Sequence, residues 1–139
     1  MKKIFFLFLV ISFSFFSVVN SQERESKLNE LFNQLKNNND VAAAFEIEMK
    51  IWNIWSTHPS QENLTQLLAK GSNLMSEQKL NKAYETFTIV VGVDPNWAEG
   101  WNKRATVLYM LGRYQESQED IDEVLKLEKD ILELYQDRG

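Results

Sequence analysis

The sequence predicts an all-α fold built from stacked helical hairpins, and three observations support this prediction. Apolar residues recur at steps of three and four along most of the chain after residue 22, which is the spacing of one helix face. Nearly all the glycine and proline falls between these periodic segments, at Pro59, Gly92, Pro95 and Gly112, which suits short connections between helices. No stretch alternates with a period of two over a useful length, so no strands are expected.

The periodic segments form six predicted helices that pair into three antiparallel hairpins. Asp40 is a good N-cap for the second helix, and Pro59 ends that helix because the residue before a proline avoids the helical region. Ser60 can cap the third helix, and Gly112 can terminate the fifth. The three predicted hairpins cover residues 23–58, 60–95 and 96–131, the last with a C-terminal extension.

The N-terminal segment has the layout of a secretory signal peptide. Two lysines precede the apolar run 4–16, which is shorter than the roughly 20 residues that span a bilayer, so an uncleaved anchor is the less favoured alternative. Val19 and Ser21 place the best cleavage site after residue 21, with cleavage after Asn20 as the alternative. We therefore predict a signal peptide over 1–21, and we expect an exported protein that is periplasmic, if bacterial, or secreted, with no stable membrane anchor.

Composition disfavours several classes of function. The chain holds 15 basic and 20 acidic side chains, and loss of the two lysines in the signal peptide would make it more acidic still. Nucleic acids and anionic lipids require clustered Lys and Arg, so neither is an expected partner. The chain contains no cysteine, which excludes disulfides and thiol chemistry. The mature residues 22–139 fit a single domain.

The sequence contains an internal repeat with a period of 34 residues. Residues 64–97 align with 98–131 without a gap, so that small and large side chains recur at equivalent places. The paired positions are Leu67 with Trp101, Gly71 with Ala105, Leu74 with Leu108, Ala83 with Ser117 and Phe87 with Ile121. Small residues at four of these positions allow two helices to approach closely, while Phe87 and Ile121 fill the space between hairpins.

This period and pattern resemble the tetratricopeptide repeat, whose signature is W-x2-L-G-x2-Y, then A-x3-F, then P. The matching residues are Gly71, Ala83, Phe87 and Pro95 in the second hairpin and Trp101, Gly112 and Tyr114 in the third. The first hairpin is a divergent copy in which Glu48 replaces the large aromatic residue. The resemblance implies a right-handed superhelical stack, an α-solenoid. The segment 98–109 also resembles secreted alphaproteobacterial members of the family, whose function is unknown.

The chain offers little for catalysis, and we predict neither an enzyme nor a cofactor or metal. The single histidine, His58, has no companion ligand or paired nucleophile and is expected to be exposed or to cap a helix end. Carboxylates are numerous in the sixth helix but are expected to form a solvated face, because nothing in the sequence indicates burial. These carboxylates are Glu116, Glu119, Asp120, Asp122 and Glu123.

The resemblance implies a protein or peptide partner bound in a concave groove that is lined by the first helix of each hairpin. The candidate contact residues are Leu68, Ser72 and Met75 in the second hairpin and Asn102, Lys103, Thr106 and Tyr109 in the third. Asn102 and Lys103 offer hydrogen bonds to an extended segment, although ordinary surface positions are an equally good interpretation of these two. Leu68, Met75 and Tyr109 offer apolar contact. The sequence thus predicts a non-enzymatic interaction and scaffold module.

The alternative function is a self-assembling structural protein. The third hairpin has Glu128, Lys129 and Asp130 where the family normally has a proline, so we expect the sixth helix to run on toward Tyr135. No separate capping helix follows, and solenoid ends need a polar cap to stay soluble. The flank left open for a homo-oligomer would include Ile121, Leu125, Leu132 and Tyr135.

Overall fold

A computed structural model describes residues 22–128, and this part of the chain contains six helices and no strand. It separates after Ser60 into two compact units. The helices are α1 (22–36), α2 (Val41–Trp55), α3 (Glu62–Ser76), α4 (Leu80–Val93), α5 (Ala98–Met110) and α6 (Tyr114–Leu127).

The first unit is the hairpin of α1 and α2. Its core consists of four buried side chains at helical spacing, two from each helix: Leu31, Leu35, Ile47 and Ile51. The Asp40 carboxylate accepts a hydrogen bond of 2.8 Å from the Ala43 N–H, which confirms the predicted N-cap of α2. At the opposite end of the hairpin, Arg24 donates to the Thr57 carbonyl at 3.0 Å, so the beginning of α1 lies beside the end of α2.

The second unit contains the hairpins α3–α4 and α5–α6, with α4 packed against both α3 and α5. Its core is formed by side chains from α3, α4, α5 and the turn before α5: Leu64, Leu68, Ala83, Phe87, Val90, Trp97 and Val107. Phe87 is fully buried directly over Gly71, where a Cβ atom would lie only 2.5 Å from its Cε1. In the next hairpin the Ser117 hydroxyl donates to the Ala105 carbonyl at 2.8 Å. The small residues of the pattern therefore do sit where helices approach closely.

The 34-residue period of the sequence is also the period of the helices. Leu80 and Tyr114 begin α4 and α6 and are 34 residues apart, and Val93 and Leu127 end these helices with the same separation. The turns that follow α3 and α5 repeat in the same register. Gln78 and Gly112 both have positive φ, at 60° and 75°. Each turn is closed by a backbone hydrogen bond of 2.9 Å, from Lys79 N–H to the Leu74 carbonyl and from Arg113 N–H to the Leu108 carbonyl.

Two predicted helix ends are wrong. The N-cap of α3 is Gln61 rather than Ser60, and its side chain makes no capping hydrogen bond. The sixth helix does not run on, because it ends at Leu127 and Glu128 has a non-helical φ of -117°. Glu128 does not prevent a helix, but most helical stability comes from packing against a neighbouring element. Within the 34-residue repeat, α6 ends at the position that is equivalent to the end of α4. Lys129 and all later residues lie outside the described part.

Candidate functional site

The α5 helix packs against α4, α6 and α3, and one of its faces is turned away from α4 and α6. Gly100 faces α4, where a Cβ atom would lie 3.0 Å from Val90 Cγ1. Arg104 faces α6 and pairs with Asp120. The remaining side of the helix, called the α5 face from here on, carries residues at steps of three and four: Glu99, Asn102, Lys103, Thr106, Tyr109 and Met110.

A bidentate ion pair fixes α5 against α6. Arg104 Nε and Nη2 donate to the two carboxylate oxygens of Asp120, both at 2.7 Å. The hydrogen bond to Asp120 raises the pKa of Arg104, so the guanidinium stays charged. The guanidinium also lies 4.8 Å from the centre of the Trp101 ring, which donates through Nε1 to the Pro95 carbonyl. This network fixes the orientation of α5 relative to α6.

Asp120 corrects the prediction of a uniformly solvated acidic face on α6. Asp120 is only 4% exposed, whereas Glu116, Glu119 and Asp122 are exposed as expected. The partner of Asp120 is 16 residues earlier, on the other helix of the hairpin. Spacing within α6 could therefore not reveal the pair.

Glu99 is the buried charge of the α5 face and was missed from the sequence. It is 4% exposed, and its Oε2 accepts a hydrogen bond of 2.9 Å from Asn102 Nδ2. The Lys103 ammonium lies 3.5 Å from Oε1, which accepts no hydrogen bond within the described chain. Burial raises the pKa of Glu99, and Asn102 and Lys103 partly oppose this. The available signal was the spacing of an acid followed by an amide and a lysine three and four residues later.

The predicted contact residues of the third hairpin all lie on the α5 face. Asn102 and Lys103 are half-buried because they reach toward Glu99. Thr106 is exposed, and its hydroxyl donates to the Asn102 carbonyl of its own helix at 3.0 Å. Tyr109 is 66% exposed, with its ring edge-on to Tyr114 at 5.2 Å. The face therefore runs from a buried carboxylate at one end to exposed aromatic surface at the other.

The predicted contact residues of the second hairpin do not form an equivalent surface. Leu68 is only 2% exposed and belongs to the hydrophobic core, so its assignment as a contact residue is wrong. Met75 is partly buried against the same core, and the Ser72 hydroxyl donates to the Leu68 carbonyl of its own helix. The physical reason is that α3 packs against α5 as well as α4. Because α3 has neighbours on two sides, it buries side chains that a single helical hairpin would leave exposed.

The predicted oligomer flank is only partly within the described chain. Leu125 is half-buried and Ile121 is 38% exposed, while Leu132 and Tyr135 lie outside the described residues. The flank therefore stays a prediction. In the first unit, exposed apolar side chains concentrate on α2, on a different side from the buried Ile47 and Ile51. These exposed residues are Val41, Phe45, Met49 and Trp52.

His58 is buried rather than exposed. Its Nδ1 accepts a hydrogen bond of 3.1 Å from the Ser60 N–H, so it caps the turn before α3. Across residues 22–128, no group of three or more His, Asp or Glu side chains is arranged to hold a metal ion. Within the same range, none of the helices has the length and apolar character needed to cross a membrane.

Comparisons with known proteins agree with this architecture. The family model of the tetratricopeptide repeat matches residues 98–131, which contain α5 and α6. A TPR repeat-containing protein of Rhizobium etli is 33% identical over 109 residues, which make up 78% of this chain and 52% of the relative. The chain belongs to the tetratricopeptide repeat family. The predicted family and the all-α helical repeat fold are therefore confirmed.

This tetratricopeptide repeat protein spans about half the length of the curated relative that it matches. No solved structure matches it significantly. Tetratricopeptide repeats generally mediate protein–protein interactions, and proteins built from them are typically non-enzymatic scaffolds. The α5 face lies within the matched repeat.

Proposed function

We propose that this protein is a non-enzymatic interaction module that binds an extended segment of a partner protein on the α5 face. The observation that carries the proposal is the placement of Asn102, Lys103, Thr106 and Tyr109 together on the side of α5 that is turned away from α4 and α6. Export to the periplasm, or secretion, is part of the same proposal and is supported by the layout of residues 1–21.

The chemistry of the α5 face suits a protein partner. Tyr109 and Met110 supply exposed aromatic and thioether surface, the kind of side chain that is enriched at protein interfaces. Asn102 and Lys103 supply polar groups beside them, and the ion pair of Arg104 with Asp120 holds the helix in place. A rigid helix that presents such side chains can bind with little loss of conformational freedom.

A steric block at the centre of the α5 face tests this function. Thr106→Arg adds a long side chain to an exposed helical position, where arginine is well tolerated. Thr88→Arg makes the same change at an exposed position of α4 and serves as the matched control. Captured proteins from an extract of the producing cells are identified by mass spectrometry for wild type and both variants.

We expect wild type and Thr88→Arg to capture the same partner, and Thr106→Arg to lose it. Retention of every wild-type partner by Thr106→Arg would show that the α5 face is not the binding surface. The intact mass of the protein recovered after export tests the location separately. A mass lower by residues 1–21 supports export with cleavage, and the full-chain mass contradicts cleavage.

A further inference from the structure

We propose that residues 131–139 of this chain cover an exposed face of α6 in the way that α5 covers the equivalent face of α4. The inference does not depend on the proposed function. It assigns an occupant from the same chain to the flank that self-assembly would leave open to a second copy. Three observations support it: the exposure of this face, the way the chain leaves α6, and the sequence that follows.

The exposed face of α6 is equivalent in the repeat to a covered face of α4. Its residues recur at steps of three and four, and each lies 34 residues after a residue of α4. The pairs are Tyr114 with Leu80, Gln118 with Tyr84, Ile121 with Phe87 and Leu125 with Val91.

The two faces differ in burial because only one of them has a following helix. Phe87 is fully buried and Val91 is 6% exposed, whereas Ile121 is 38% exposed and Tyr114 is 63% exposed. The α5 helix lies on this side of α4, since a Cβ atom on Gly100 would be 3.5 Å from Val91 Cγ2. Within residues 22–128 no helix follows α6. The α4 face therefore shows what kind of element fits the α6 face.

The chain leaves α6 in the same way that it leaves α4. The Asp94 N–H donates to the Val90 carbonyl at 3.0 Å, and the Glu128 N–H donates to the Val124 carbonyl at 2.9 Å. Both capping residues have non-helical backbone angles, with φ of -134° and ψ of 92° at Asp94 and φ of -117° and ψ of 71° at Glu128. From Asp94 the chain turns back and begins α5 four residues later. An equal connection from Glu128 brings residue 132 to the start of a helix against α6.

The sequence after α6 continues the repeat at the same offset. Residues 128–139 align with 94–105 without a gap, and Glu133 and Arg138 are identical to their equivalents. Similar residues are Ile131 with Trp97, Tyr135 with Trp101, Gln136 with Asn102 and Gly139 with Ala105. Trp97 is 5% exposed and Ala105 is 3% exposed, so the segment has an apolar and a small residue at positions that are buried in α5.

One position of the segment differs in size from its equivalent. Leu134 is equivalent to Gly100, where a Cβ atom would lie 3.0 Å from Val90 Cγ1. The leucine side chain prevents an equally close approach of the two helices. In exchange it adds apolar area to the contact with Val124 and Leu125, and removal of this area from water stabilises the contact.

Pairs of cysteines test the position of the segment, because the chain has no cysteine of its own. Val90→Cys with Gly100→Cys is the positive control, since the distance of 3.0 Å suits a disulfide between α4 and α5. Val124→Cys with Leu134→Cys is the equivalent pair between α6 and the segment. Asp122→Cys with Leu134→Cys is the negative control, because Asp122 is exposed and lies nearly opposite Val124 on α6.

All three double variants are made as the full chain, oxidised in a glutathione buffer, and analysed by non-reducing electrophoresis and intact mass. We expect an intramolecular disulfide in the Val124 and Leu134 variant, as in the positive control, and none in the negative control. A disulfide-linked dimer of the Val124 and Leu134 variant would place a second copy on α6 and overturn the proposal. A variant that stays reduced while the positive control is oxidised would overturn it as well.

Thermal unfolding of two single variants gives a second test that leaves α6 unchanged. Ile131→Asn places a polar side chain at the position equivalent to the buried Trp97, and Lys129→Asn does so at the position equivalent to the exposed Pro95. We expect Ile131→Asn to lower the unfolding midpoint by about 4–8 °C and Lys129→Asn to lower it by less than about 2 °C. Equal midpoints for both variants and wild type would show that the segment does not pack on α6.

Discussion

The turn that ends the first helix of each repeat allows one prediction to be worked out quantitatively. Gln78 and Gly112 occupy equivalent positions, and both adopt the left-handed backbone conformation, with φ of 60° and 75°. The hydrogen bonds on either side are the same in the two turns. Only the residue type differs, so exchange of residue types between the two positions isolates the cost of a side chain in this conformation.

The expected gain from Gln78→Gly is a small difference between two larger effects. A residue with a Cβ atom pays about 1–2 kcal/mol in the left-handed region, and glycine does not. Glycine loses more backbone freedom on folding, which takes back about 0.4–1 kcal/mol. We therefore expect Gln78→Gly to raise the free energy of unfolding by about 0.5–1 kcal/mol. Gly112→Gln should lower it by a similar amount, since no atom lies within 4 Å of the added Cβ atom.

Urea unfolding followed by circular dichroism measures these changes. Gln66→Gly is the matched control, because Gln66 is exposed in the interior of α3 and its backbone is right-handed helical. This control should lose about 1 kcal/mol, the helix-propensity cost of glycine. The two Gln→Gly variants thus have opposite predicted signs. If Gln78→Gly destabilises the protein as Gln66→Gly does, the reasoning about the left-handed turn is refuted.

Three further predictions address the core and the site. Asp120→Asn should lower the free energy of unfolding by about 2–3 kcal/mol, because it leaves the half-buried Arg104 guanidinium without its counter-charge. Urea unfolding measures this change, and a decrease of less than about 0.5 kcal/mol would contradict the prediction. Gly71→Ala should lower the free energy of unfolding by about 1–3 kcal/mol, because the added methyl group overlaps with Phe87. In a double-mutant cycle, Phe87→Leu should therefore lower the free energy of unfolding less in the Gly71→Ala background than in wild type. The pKa of Glu99 is raised in the folded state, so the folded protein holds the Glu99 proton more tightly than the unfolded protein does. The contribution of Glu99 to stability therefore falls as pH rises from the ordinary glutamate pKa through the raised pKa. Glu99→Gln should therefore stabilise the protein relative to wild type most at neutral pH and least below the ordinary glutamate pKa, and a pH-independent difference in unfolding would argue against this.

Local patterns in the sequence were sufficient for the helices, most of their ends and the repeat. The apolar spacing, the Asp40 cap and the Gly112 stop each act within a few residues, so the chain encodes them directly. The 34-residue period likewise depends only on comparison of the chain with itself, and it recurs in the starts and ends of α4 and α6. For the same reason helical spacing alone was enough to place four of the contact residues, all on α5, together on one helix face.

The chemical character of the candidate site depended on packing between helices. Leu68 became core because α3 is enclosed by two neighbours, and Asp120 became buried because Arg104 approaches it from another helix. Glu99 looks like an ordinary first-turn acid in the sequence, yet in the folded protein it is a buried carboxylate that contacts Asn102 and Lys103. Burial and electrostatics are set by residues distant in the chain, so periodicity locates a face of a helix, whereas only the assembled helices decide which of its charges are removed from water.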